Sequence, residues 1–234
     1  MVDDPTGQGT KPADNLSIQV TGLEPAPTPE GEIGQALILN TTRGDIPCLL
    51  HDSEPMTDRA VLWVGGAAGG FGGPAGGINR DLSQELRAEG ISSLRLHYRM
   101  PNTFPECVLD TLAGVTLLEG LGVERVALVG HSFGGAVVIA AAPVSDTVAA
   151  VCALSSQTYG ATNVALVSPR PLLLGHGKAD TRLGPHCSEF IYEWAREPKE
   201  LVLFEGAGHG LRECRDELHD LLKEWFLRVL PQAE

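Results

Sequence analysis

The chain has 234 residues, 43% of them apolar, and a formal net charge of −13. That length and apolar content suffice for one domain with a sizeable core. The acidic balance argues against nucleic acid or an anionic membrane surface as partner, since both repel a protein of that sign.

No run approaches the ~20 apolar residues of a bilayer-spanning helix. The acidic start, Met1-Val2-Asp3-Asp4-Pro5, carries no apolar stretch of a secretory signal. Cysteines 48, 107, 152, 187 and 214 are an odd set without paired spacing. Such a set reads as reduced thiols in a cytoplasmic setting.

Residues 1–30, rich in Pro, Gly, Asp and Thr, read as a mobile arm ahead of a single domain over residues 31–234. Residues 38–50 read as two strands about an Arg43-Gly44-Asp45 turn, an antiparallel start to a sheet. A compact apolar strand at 60–64 runs into a glycine-rich tract at 65–77. A helix over 78–89 follows, with Ile78, Leu82 and Leu86 in one stripe and Gly90 placed to end it. The spacing then predicts a strand at 91–98 and a helix at 105–119 that Pro105 opens.

Further strands are expected at 126–129, 147–154, 171–174 and 201–204, with a helix around 187–195. Leu218, Leu221, Leu222, Trp225, Phe226 and Val229 mark the apolar stripe of a terminal helix. Parallel neighbours need a crossover, so strands alternating with helices predict an α/β fold. Its central sheet should be mostly parallel, start antiparallel and carry helices on both faces. In such sheets the site forms at the carboxyl ends of the strands.

Gly130-His131-Ser132-Phe133-Gly134 lies there, between the strand at 126–129 and a small-residue helical run. A serine at the apex of a strand-to-helix turn needs neighbours that are nearly free of side chain, and glycine supplies them. Its hydroxyl is a poor nucleophile until a base takes the proton, and the base needs a carboxylate to hold its tautomer. His209, in Gly208-His209-Gly210 beyond the last strand, is the candidate base. Asp180, beyond the penultimate strand, is the candidate orienting carboxylate. Glu205 is a rival that ends His209's own strand, and Asp146 falls at the wrong end of the sheet.

The order Ser132, Asp180, His209, each after a successive strand, is the one this architecture requires. The backbone amide of Phe133 is one candidate donor to an oxyanion. The second is expected from the turn after residue 64, at Ala67 or alternatively Gly66. Tyr159 and Gly66 are candidate substrate contacts.

These motifs resemble the α/β-hydrolase superfamily over residues 36–230, and within it the small capless carboxylesterases and dienelactone-hydrolase-like proteins. The resemblance rests on the element order, on Gly130-His131-Ser132-Phe133-Gly134-Gly135, and on the His176-Gly177-x-x-Asp180 and Gly206-Ala207-Gly208-His209-Gly210 turns. It implies Ser132 as nucleophile, His209 as base and Asp180 as its orienter, acting on a small ester through an acyl-enzyme without cofactor or metal. Two departures stand out. Gly65-Gly66 replaces the His-Gly common at the oxyanion turn, and serine stands where dienelactone hydrolases carry cysteine. The segment 155–170, where relatives often insert a lid, is too short for a helical cap.

Gly70-Phe71-Gly72-Gly73-Pro74-Ala75 formally fits a dinucleotide fingerprint, but Pro74 sits inside it and no acidic residue ends the next strand. The histidines lack metal-ligand spacing. A thioesterase or lactonase with the same triad, and a non-catalytic binding protein on the same fold, are the competing expectations. Self-association is compatible with the sequence.

Overall fold

A computed structural model describes residues 16–54 and 57–232. Its strands are β1 (Val20–Pro25), β2 (Gln35–Thr41), β3 (Ile46–His51), β4 (Arg59–Val64), β5 (Ser92–Leu96), β6 (Arg125–His131), β7 (Val148–Leu154), β8 (Leu172–Gly177) and β9 (Lys199–Phe204). The helices are α1 (Ile78–Glu85), α2 (Phe104–Gly120), α3 (Phe133–Ala141), α4 (His186–Trp194) and α5 (Arg215–Val229). One sheet holds the strands in the order β1-β2-β3-β5-β4-β6-β7-β8-β9. β1, β2 and β3 pair antiparallel and β3 runs antiparallel to β5, whereas every pairing from β5 to β9 is parallel.

The central strands are continuous apolar runs because both of their faces are covered. Along β4 the side chains alternate between two cores. Ala60, Leu62 and Val64 face α2 and α3, while Val61 and Trp63 face α1 and α5. α5 buries its predicted stripe on the second face, where the Phe226 ring meets Trp63 edge-on at 5.4 Å. Gly90 ends the helical segment after α1 in the left-handed conformation, with φ 69°.

Chain order reverses at β4, with β5 on one side of it and β6 on the other. The loops after β4 and β6 therefore leave in different directions and open a crevice at the carboxyl edge. Segment 155–170 carries only a short 3-10 turn, Val164–Leu166, and no cap. No helix among the described residues is long and apolar enough to cross a membrane.

One expectation is corrected. Within the expected arm, Val20–Pro25 is an edge strand paired with β2. It gives little apolar signal because most of its residues are exposed and its ladder is backbone to backbone. The loop that follows it is tied down by the buried Arg95, whose Nη1 donates to Glu32 at 2.6 Å and Nη2 to the Ile33 carbonyl at 2.8 Å. Residues 1–15 of the expected arm lie outside the described residues.

Candidate active site

β6 ends at His131 and α3 begins at Phe133, leaving Ser132 alone at the bend with φ 59° and ψ −119°. A non-glycine residue held there stores on the order of 1–3 kcal/mol of strain. Two hydrogen bonds hold it. The Ser132 amide donates to the Leu154 carbonyl at 2.8 Å, and the Gly135 amide donates to the Ser132 carbonyl at 3.1 Å. The glycines are obligatory: a Cβ at Gly130 would run into the Gly134 carbonyl, and one at Gly134 into the Gly65 carbonyl. At Gly135 it would fall 2.7 Å from the Ser156 side chain.

His209 reaches over from the loop after β9. Its Nε2 lies 3.0 Å from Ser132 Oγ, and its Nδ1 lies 2.7 Å from Asp180 Oδ2. A carboxylate opposite Nδ1 fixes the proton there and leaves Nε2 free to accept from the serine hydroxyl. Asp180 is buried in the loop after β8, where its Oδ1 accepts from the amides of Arg182 at 2.8 Å and Leu183 at 2.9 Å. Burial alone would push its carboxyl up the pH scale. The Leu183 amide, the His209 ring and the Arg182 amide outweigh that and hold it below the usual carboxylate range.

Two further histidines brace this pair, and sequence reasoning assigned neither of them this place. His176 is wholly buried, with Nε2 facing both Asp180 Oδ2 at 3.1 Å and the Leu183 carbonyl at 2.8 Å, and Nδ1 2.7 Å from Ser188 Oγ of α4. Two acceptors at Nε2 place its proton there. His131 Nε2 lies 2.8 Å from the His209 carbonyl oxygen, to which it donates. Burial drives the His131 pKa down to about 4, so the ring beside His209 is neutral and does not oppose an imidazolium.

The glycine tract does two jobs. Its first part closes a turn in which the Gly69 amide donates to the Gly66 carbonyl at 2.9 Å, and Gly66 backs onto Ser132. Its second part braces the His209 loop through the Ala75 amide, which donates to the Gly210 carbonyl at 2.7 Å. Residues 70–75 thus tie the glycine tract to the His209 loop.

A cavity of about 460 Å³ opens over Ser132 and His209, walled by Gly66, Ala67, Phe133, Gln157, Arg182 and Leu183. Tyr159 is not in that wall, which corrects its expected role as a substrate contact. It is 75% exposed and packs edge-on against Phe104, where Gly160 seats against the same ring and turns Tyr159 outward. From that segment Gln157 reaches the cavity instead. Arg182 and Leu183 were traceable in principle, because an aspartate that accepts amides two and three residues on carries those residues with it. Glu205 is exposed and pairs with Lys178 at 2.7 Å, away from the histidine.

No protein-family model matches the chain. Two Escherichia coli sequences, from O157:H7 and K12, both called uncharacterized protein YfhR, are 34% identical over 133 residues, 47% of this chain and 46% of theirs. The match thus spans about half the length of these relatives. Est1E from Butyrivibrio proteoclasticus superposes with a TM-score of 0.74 at 16% identity, covering 84% of this chain and 99% of its own. XC6422 from Xanthomonas campestris, described as an α/β serine hydrolase without lid, gives 0.70 at 20% identity over 89% of this chain and all of its own. A dienelactone hydrolase from Anabaena variabilis gives 0.68 at 20% over 83% and 96%. The chain has the α/β-hydrolase fold. Within that fold, Ser132, Asp180 and His209 stand on the loops after β6, β8 and β9, and the turn at 66–69 stands on the loop after β4.

Proposed function

We propose that the protein is a serine hydrolase that cleaves small carboxylic esters through an acyl-enzyme. The observation that carries this is the unbroken chain from Asp180 through His209 to Ser132, with its donors and acceptors in the one order that activates the serine. Ser132 Oγ attacks the ester carbonyl as His209 Nε2 takes its proton, and Asp180 stabilises the imidazolium. His209 then returns the proton to the departing alkoxide. Water repeats the sequence to free the acid and regenerate the serine.

The tetrahedral oxyanion is assigned to the amides of Phe133 and Ala67. Phe133 is the first residue of α3, where an amide has no intrahelical partner. The Ala67 amide makes no hydrogen bond among the described residues; at Gly66 it is the carbonyl that is engaged, by the Gly69 amide, so the Gly66 amide is the alternative donor. One such donor lowers the barrier by roughly 3–4 kcal/mol. The open, uncapped cavity supports small or surface-accessible esters. That neighbours of this fold include an esterase domain from Rhodothermus marinus supports the same class. Five buried cysteines without a disulfide support a reducing compartment.

The test is hydrolysis of short-chain aryl esters, together with labelling by a fluorophosphonate. The intact protein should turn over and label, and Ser132→Ala should lose at least ~10⁴-fold in kcat and all labelling. Equal rates for the two, or neither turnover nor labelling by the wild type, would sink the assignment.

A further inference from the structure

The second oxyanion amide sits on a turn that needs holding, because a displaced donor stabilises nothing. The turn at 66–69 is closed within itself by one backbone hydrogen bond. Its link to the sheet is a side chain: the Gly70 amide donates to Nδ1 of His97, at 2.7 Å. His97 is the residue just past β5, pinned by its own amide to the Pro47 carbonyl at 3.0 Å. The turn and the ring are in close contact. Gly69 lies in the left-handed region with φ 69°, and a Cβ there would fall 2.7 Å from His97 Nδ1 and 3.4 Å from Pro101. A Cβ at Gly65 would fall 2.6 Å from the Gly69 carbonyl, so the tract doubles back without slack.

We infer that His97 is the positioning residue of the oxyanion turn, and that it acts only as a neutral imidazole. An N–H donor can be received at Nδ1 only by a lone pair, so the ring carries its proton on Nε2. A second proton at Nδ1 would set two N–H groups against each other and release the turn. This rests on the serine-hydrolase reading above.

Besides the Gly70 amide, the His97 ring meets one aromatic neighbour. The glycine tract presents to it only the Phe71 ring, with centroids 5.9 Å apart. On the strand side are Arg95, held by Glu32 and His51, and Arg99, held by Asp110 and Glu106.

The experiment compares wild type, His97→Phe and His97→Asn for kcat and KM on a short-chain aryl ester, and for the rate of fluorophosphonate labelling. Phenylalanine keeps a ring and removes the acceptor, whereas asparagine can place Oδ1 where Nδ1 stood and does not titrate. His97→Phe should lose about ten- to a hundred-fold in kcat with KM little changed, as expected of a misplaced oxyanion donor. His97→Asn should stay within about three-fold of wild type. The His97→Asn arm stands whether or not His97→Phe folds. Wild-type rates in His97→Phe, or an equal loss in both variants, would overturn the inference. Absent turnover and labelling in wild type would instead overturn the hydrolase reading beneath it.

Discussion

At Ser132 the backbone carries a conformation that glycine alone adopts without cost, and the surrounding hydrogen bonds hold it there. The strain of about 1–3 kcal/mol is larger than the ~0.5–1 kcal/mol by which glycine favours the unfolded chain. Ser132→Gly should therefore stabilise the fold by about 1 kcal/mol while abolishing turnover. Ser132→Ala, which keeps a Cβ at the same φ, should gain nothing. Urea unfolding of the pair checks this, and equal midpoints would mean that the bend is not strained. The same residue shows what local pattern can reveal. Glycines at 130, 134 and 135 announce the bend, because nothing else fits against the Gly65 carbonyl and Ser156.

At the scale of elements, α5 is held by one stripe. Leu218, Leu222, Trp225 and Phe226 are buried on the face shared with α1, and Phe226 meets Trp63 of β4. Phe226→Ala removes a ring from a fully buried site and should cost about 3–5 kcal/mol. Its neighbour Leu227 is 39% exposed, and Leu227→Ala should stay within about 0.5 kcal/mol of wild type. Denaturant unfolding of both reads the difference, and similar losses would place the stripe wrongly. Periodicity made this helix legible because a helix that buries a single face writes that face into its sequence. β1 shows the converse. An exposed edge strand is recruited through its backbone, which leaves no apolar alternation to read.

For the whole molecule, burial lowers the pKa of His51 and of His131 from 6.5 to about 4, with Arg95 adding to the effect at His51. Between those values the unfolded chain binds protons that the folded chain refuses, so stability falls as pH drops from about 6.5 to 4 and is unaffected by these groups above 6.5. Unfolding near pH 5 should take up about two protons from this pair. Glu106, whose carboxyl Arg43 and Arg99 hydrogen-bond and depress, stabilises the fold above 4.5 and loses that contribution only as the pH falls below it. Urea midpoints measured from pH 7 to pH 4 test this, and a flat profile would contradict it.

The order Ser132, Asp180, His209 could be read from the chain because each residue follows a strand, and the carboxyl ends of parallel strands converge on one edge. Composition and periodicity settled the class of fold for the same reason: apolar strands covered on both faces and one-sided helices leave a local imprint. Which side chains share the cavity is a different kind of fact. Tyr159 faces solvent while Gln157 lines the cavity, and the segment between them is packed by Gly160 against Phe104, a contact between residues 56 positions apart in the chain. His97 carries no motif, and the motif that holds His176 says nothing of the role of its ring. Their places, under the oxyanion turn and against the Asp180 carboxylate, depend on loops brought together from distant parts of the chain. Local pattern therefore singled out Ser132, His209 and Asp180, and only the packing of the loops decided what holds them in register.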